Sequence, residues 1–214
     1  MGRVLCLVMG YVFGLFQTGY LYGKMNHIDI RNYGSGNSGT TNALRVLGKK
    51  AGLIVFAGDF LKTVFACLAA RIIFKASPDT DLYVLYAGLG VVLGHNFPCY
   101  LHFKGGKGIA SMAGILVSMD WRVTLVCAAL FLGAVIITRY VSLGSILVVI
   151  SFFIQMLLYG SRGDYRVSEG SLMDHLMEFY VVAFVLMAMA IWRHRANIKR
   201  LLSGTENKLW GGKK

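Results

Sequence analysis

Charge is scarce in this chain, and acid is scarcest. Only 15% of its 214 residues are charged, with 10 Asp and Glu against 22 Lys and Arg, a net charge of +12. A soluble domain carries about a quarter charged residues. Here the hydrophobic share is 56% and the mean hydropathy +0.60, so the chain reads as an integral membrane protein. The apolar runs leave no soluble basic domain, which excludes nucleic acid as a partner. The cysteines, Cys6, Cys67, Cys99 and Cys127, form no CxxC or His/Cys metal spacing. Three lie in apolar runs, where Cys acts as a small hydrophobe, so neither a disulfide nor a metal site is expected. No His is followed five residues later by Asp, no GxSxG elbow occurs, and the stretch FKGGKGIAS matches neither GxxxxGK[ST] nor GxGxxG. Low-complexity tracts and internal repeats are missing too. The lack of a repeat tells against an inverted-repeat transporter.

What remains is oil interrupted by basic loops. Apolar segments run at roughly 3–23, 51–74, 82–97, 108–119, 121–138, 142–160 and 175–192. Lipid satisfies no open strand edge, so these are helices. The fold class is all-α, one polytopic domain over 1–214 with about seven transmembrane helices. The first segment has little basic n-region and no clear cleavage site, and reads as a span rather than a signal peptide. With seven spans, Lys24, Arg31, Arg45, Lys49 and Lys50, then Lys104, Lys107 and Arg139, and the basic tail after Arg193 all share one face. The other face receives Lys75, Asp79, Asp81, Asp120 and Arg122. The positive-inside rule then puts the N-terminus outside and the C-terminus in the cytoplasm.

Three polar stretches share that basic face. "YGSGNSGTTNALR" brings Gly34, Ser35, Gly36, Asn37, Thr41, Asn42 and Arg45. Its glycines permit tight turns, its short side chains donate hydrogen bonds, and Arg45 offers a planar fork for phosphate. "FKGGKGIAS" sets Gly105, Gly106 and Gly108 with Lys104 and Lys107 just before an apolar helix. A glycine loop feeding a helix N-terminus is a ready anion cradle. A flexible basic loop obeying the positive-inside rule would look much the same. "RHRANIKRLLSGTEN" places His194 and Asn197 three apart on one helix face, among arginines that could equally anchor to anionic lipid. Together the three describe a site for a small, anionic, hydroxyl-bearing ligand at the membrane edge. Within the membrane, Asp59 and Lys62 stand at i, i+3, read as a mutual brace. Ser142 and Ser145 face one way near a helix end, either back-bonding to their helix or facing a ligand.

These stretches closely resemble the motifs of the bacterial acyl-phosphate-dependent glycerol-3-phosphate acyltransferases, the PlsY family. GSGNxGxxN is matched at Gly34–Asn42, GHxFPxFxxFKGGKG at Gly94–Gly108, and HxxNIxRLxxGxE at His194–Glu206. Tyr100 stands where Phe is usual and Ser111 where Thr is common. The resemblance implies a seven-helix enzyme of the bacterial inner membrane with its site near the cytoplasmic face. It would move a fatty acyl group from acyl phosphate to the sn-1 hydroxyl of glycerol 3-phosphate. Lysophosphatidic acid and phosphate would result, the first step of phospholipid synthesis, without metal or cofactor. Its partners would be the two substrates and membrane lipid, and it would work as a monomer. Catalytic roles are expected of Ser35, Lys104, His194 and Asn197. Arg45, Lys107, His194 and Asn197 would grip glycerol 3-phosphate, positioned by Ser35 and the Gly34–Asn42 turn. Lys104 and the Gly105–Gly108 amides would take the acyl phosphate, Ser142 would assist, and His95 would brace the loop. An organic-phosphate transporter built on the same loops is the competing reading. The clustering of ligands at one face, rather than at mid-membrane, ranks it second.

Overall fold

The computed structural model describes residues 1–168 and 175–210, and among them every regular element is helical. In chain order these are α1 (Gly2–Gly14), α2 (Thr18–Met25), α3 (Thr40–Ile73), α4 (Thr80–Asn96), α5 (Ile109–Met119), α6 (Trp121–Thr138), α7 (Val141–Gly160), α8 (His175–Arg193) and α9 (Arg195–Leu202). Each apolar segment expected from the sequence lies on a helix. Six stretches, counting α1 with α2 as one, are long and apolar enough to cross a membrane. Long aliphatic side chains such as Leu53, Ile72, Leu125 and Ile137 are exposed on them, as lipid contact requires.

The seventh segment departs from a full crossing. At 11 residues α5 is about 16 Å long, half the hydrocarbon thickness. It runs beside the second half of α3. Ser111 Oγ meets the Asp59 carbonyl at 3.5 Å, and Arg71 reaches the Ser118 carbonyl at 2.8 Å. The glycine loop before α5 is irregular. Irregular backbone survives there because protein rather than lipid surrounds it: Gly105 and Gly106 are buried.

Two other breaks shape the site. Gly48 adopts φ 87° and kinks α3, setting Thr40–Leu47 apart from the long membrane portion. The first span breaks between Gly14 and Thr18, exposing carbonyls that hydrogen-bond elsewhere. Around these breaks α1 and α4 pack backbone to backbone. A Cβ on Gly10 would lie 2.1 Å from the Ala87 carbonyl oxygen, and one on Gly90 2.2 Å from that of Leu7. Small residues permit this approach, the usual device where hydrophobic drive between helices is absent. It fixes the end of α4, and with it His95 and Asn96. The main core lies among α4, α5, α7 and α8, around Met112, Ile115, Phe152 and Phe179.

Ion pairs tie the end of the bundle away from the site. Arg3 meets Glu178 at 2.6 Å, Arg71 meets Asp81 at 2.9 Å, and Arg122 meets Asp120 at 2.6 Å and Asp164 at 3.1 Å.

Candidate active site

The three polar stretches converge. Two adjoining cavities lie between them, an inner one of about 290 Å³ and an outer one of about 580 Å³. Ser35, Asn37, Lys107, Asn197 and Arg200 line both. The inner cavity adds Thr41, Arg45 and Ser142 and then an apolar wall that includes Phe56, Phe131 and Val135. The outer one adds Arg31, Lys104 and Arg193.

The first loop is built around Asn42, 2% exposed. Its Oδ1 accepts from Ser35 N at 2.8 Å and Ser35 Oγ at 3.2 Å, while Nδ2 donates to the Ile30 and Tyr33 carbonyls. All four contacts stay inside the loop. Asn42, expected to bind substrate, lines the inner cavity and shapes the turn that presents Ser35. Gly34 and Gly36 take φ of 61° and 70° there, a conformation that costs glycine nothing.

The second loop corrects one expectation. The amides of Gly105 and Gly106 are already used, donating to the Asn96 carbonyl at 3.2 Å and the His95 carbonyl at 3.0 Å. Arg193 in turn donates to both of their carbonyls. Glycine is required here for closeness: a Cβ on Gly106 would sit 2.0 Å from His95 Nε2. The loop is thus strapped down, and the anion cradle moves to the N-terminus of α5. Gly108, Ile109 and Ala110 line the inner cavity, so the start of α5, the positive end of its helix dipole, borders it.

The third stretch supplies a relay. Lys107 Nζ donates to Asn197 Oδ1, Asn197 Nδ2 donates to Glu206 Oε1 at 2.9 Å, and Arg200 Nε meets Glu206 Oε2 at 2.9 Å. The Glu206 carboxylate thereby orients the amide so that its oxygen faces the lysine. Burial pushes Lys107 down to about 8, with Arg200, Arg193 and Arg45 adding repulsion and Glu206 opposing. His194 lines neither cavity. It is 3% exposed, its Nδ1 donates to the Ala190 carbonyl at 2.8 Å, and burial with the nearby Lys107 charge drives it down to about 4. It is neutral at pH 7.

Ser142 and Ser145 part company. Both line the inner cavity, but Ser145 Oγ bonds back to Val141 O at 2.8 Å, whereas Ser142 Oγ is buried without a partner. Thr40 Oγ1 has the same standing. Lys104 reaches only the outer cavity. Sequence reasoning offered Thr40 only as one of the first loop's hydrogen-bonding side chains and gave Arg31, Arg193 and Arg200 no ligand role. The arginines' positions in or beside the polar stretches were the available signal. No group of three or more His, Cys, Asp or Glu able to hold a metal occurs among the described residues.

Comparison with known proteins adds independent findings. A family model described as "Glycerol-3-phosphate acyltransferase" matches residues 4–204. A protein of that name from Thermoanaerobacter sp. (strain X514) is 38% identical over 210 residues, covering 98% of this chain and 96% of its own. Another from Clostridioides difficile (strain 630) is 41% identical over 211 residues, covering 96% and 95%. Crystal structures of PlsY (YgiH), an integral membrane glycerol 3-phosphate acyltransferase, superpose closely. Its glycerol 3-phosphate form has TM-score 0.84 and 36% identity over 99% of this chain and 96% of that one. Its lysophosphatidic acid form has TM-score 0.80 and 35% identity, covering 97% and 95%.

Proposed function

The chain belongs to the glycerol-3-phosphate acyltransferase family, and on that premise we propose its acyl donor, its placement in the membrane and its residue roles. It is an integral membrane acyltransferase whose acceptor is glycerol 3-phosphate. The donor is an acyl phosphate. The sn-1 hydroxyl oxygen attacks the acyl carbonyl carbon, the bond from that carbon to the phosphate oxygen breaks, and phosphate leaves. The hydroxyl proton passes to a phosphate oxygen. Lysophosphatidic acid and inorganic phosphate are the products.

One observation carries this reading: two cavities that share a cationic border but differ in their walls. The polar outer cavity, lined by Lys104, suits a phosphate group. The inner one, lined by Arg45 and the start of α5, adds an apolar wall that includes Phe56, itself 41% exposed, which suits glycerol 3-phosphate beside a lipid chain. Arg45, Lys107 and Asn197 hold glycerol 3-phosphate, with Ser35 and the Gly34–Asn42 turn positioning it. Lys104, Ser142 and the amides at the start of α5 take the acyl phosphate and the departing phosphate. A mixed anhydride is already activated, so positioning and charge stabilisation carry the rate without metal or cofactor.

The chain crosses seven times, the short segment 108–119 on α5 making one crossing. The N-terminus lies outside and the C-terminus in the cytoplasm of a bacterium, with the site facing the cytoplasm. Cation excess at the site end supports this: Asp29 is paired to Arg31 and Glu206 to Arg200, while Lys107 and Arg45 have no ion pair among the described residues. The enzyme works as a monomer.

The test is product formation by purified protein in lipid, given labelled glycerol 3-phosphate with palmitoyl phosphate and then with palmitoyl-CoA. Lysophosphatidic acid from the acyl phosphate alone, without added metal, is expected. Product from the CoA ester alone would overturn the donor assignment. Glycerol 3-phosphate flux across liposomes without product would restore the transporter.

A further inference from the structure

The charged cluster beneath the inner cavity is unused by that reading. Asp59, Lys62 and His95 are 1%, 5% and 3% exposed. Lys62 Nζ lies 2.8 Å from Asp59 Oδ1 and 3.0 Å from His95 Nδ1, and donates to the Phe16 carbonyl at 2.6 Å. That carbonyl is free because the first span breaks there. Asp59 Oδ1 also accepts from Thr18 Oγ1 at 3.2 Å. An ammonium only donates, so His95 Nδ1 accepts and the ring proton sits on Nε2. The ring lines the inner cavity, with Nε2 on the Gly106 side. Asp59 lines the same cavity, and its Oδ2 is buried without a partner.

A buried carboxylate oxygen without a donor is costly, so this atom calls for a ligand O–H. The adjoining His95 offers an N–H. A phosphate is disfavoured there by the carboxylate charge, whereas a hydroxyl satisfies both groups, donating to one and accepting from the other.

We propose that Asp59 and His95 bind the C2 hydroxyl of glycerol 3-phosphate, with Lys62 as the residue that positions both. This rests on glycerol 3-phosphate being the acceptor. The C1 oxygen loses its proton in the reaction and becomes an ester. The C2 oxygen stays a hydroxyl from substrate to product, so a fixed donor–acceptor pair matches it throughout.

The test compares three acceptors on the full-length protein in lipid with palmitoyl phosphate. They are glycerol 3-phosphate, 3-hydroxypropyl phosphate, which lacks the C2 hydroxyl, and dihydroxyacetone phosphate, which has a carbonyl there. The wild type should prefer glycerol 3-phosphate to both by about 100-fold or more in kcat/KM, as sites built to bind a hydroxyl do. Asp59→Asn keeps an oxygen for Lys62 and turns an N–H toward the cavity. Its preference over the deoxy acceptor should shrink to about tenfold or less, with dihydroxyacetone phosphate, purely an acceptor at C2, overtaking the deoxy compound. An unchanged preference in this variant overturns the inference, as does a wild type indifferent to the C2 group. If Asp59→Asn does not accumulate, His95→Phe decides: the preference must shrink there too, and its persistence refutes the contact. Wild-type protein that acylates none of the three removes the acceptor reading, and the inference with it.

Discussion

Turnover should fail on the alkaline side because Lys107 loses its proton. Burial among Arg200, Arg193 and Arg45 brings its ammonium from 10.5 to about 8, and Glu206 alone among the named neighbours pushes back. Only the charged form attracts phosphate. Below about 8 the lysine is protonated and competent; above it the competent fraction falls tenfold per pH unit, so kcat/KM drops about tenfold by pH 9. A phosphate ester's own second ionisation lies near pH 6 and is complete before this limb begins. His194, at about 4, is silent here as well. The assay is initial-rate formation of lysophosphatidic acid at low glycerol 3-phosphate from pH 6 to 10. Lys107→Arg stays charged throughout, so whatever its absolute rate the limb should vanish. Glu206→Gln removes the opposing charge and should move the limb below 8. A wild-type profile flat to pH 9.5, or the same limb surviving in Lys107→Arg, would refute the reasoning.

Other substitutions probe the scaffold. Gly106→Ala places a methyl 2.0 Å from His95 Nε2, so the ring or the loop must shift; an ångström-scale displacement should cost about 100-fold in kcat with the protein still folded. Asn42→Ala removes the four hydrogen bonds that clamp the first loop, each worth about 0.5–1.5 kcal/mol, a loss readable as a lower Tm in detergent. Lys62→Met leaves Asp59 buried and unpaired, costing about 3–5 kcal/mol, while the Asp59→Leu, Lys62→Met double variant should recover part of it; a double variant as unstable as the sum of the singles would contradict the pairing. A chelator should leave the rate unchanged.

Much of the protein is legible before any coordinates. Hydropathy locates every long helix, because lipid demands an unbroken apolar run for each crossing. The glycine loops and their cations announce an anion site, since the residue types that bend backbone tightly and those that attract phosphate are few. Asp59 and Lys62 at i, i+3 announce their own pairing, found at 2.8 Å. Local sequence does not say which groups are already occupied. The Gly105 and Gly106 amides look free in the chain but are taken by carbonyls at the end of α4. Asn42 and Asn197 look alike as ligands, yet one is consumed within its loop and the other bridges Lys107 to Glu206.

The sequence by itself determined the class, the membrane and the chemistry of the ligand, because composition and short-range spacing act through solvation and backbone freedom. The tertiary structure decided which donors remain for that ligand. It limited α5 to 11 residues, strapped the glycine loop to α4 and Arg193, left the Ser142 hydroxyl without a partner while bonding that of Ser145 back to its helix, and brought His95 to within 3.0 Å of Lys62, 33 residues away. Hydrogen bonds saturate. A group's availability is therefore set by everything that reaches it, and those partners come from distant parts of the chain that only packing brings together.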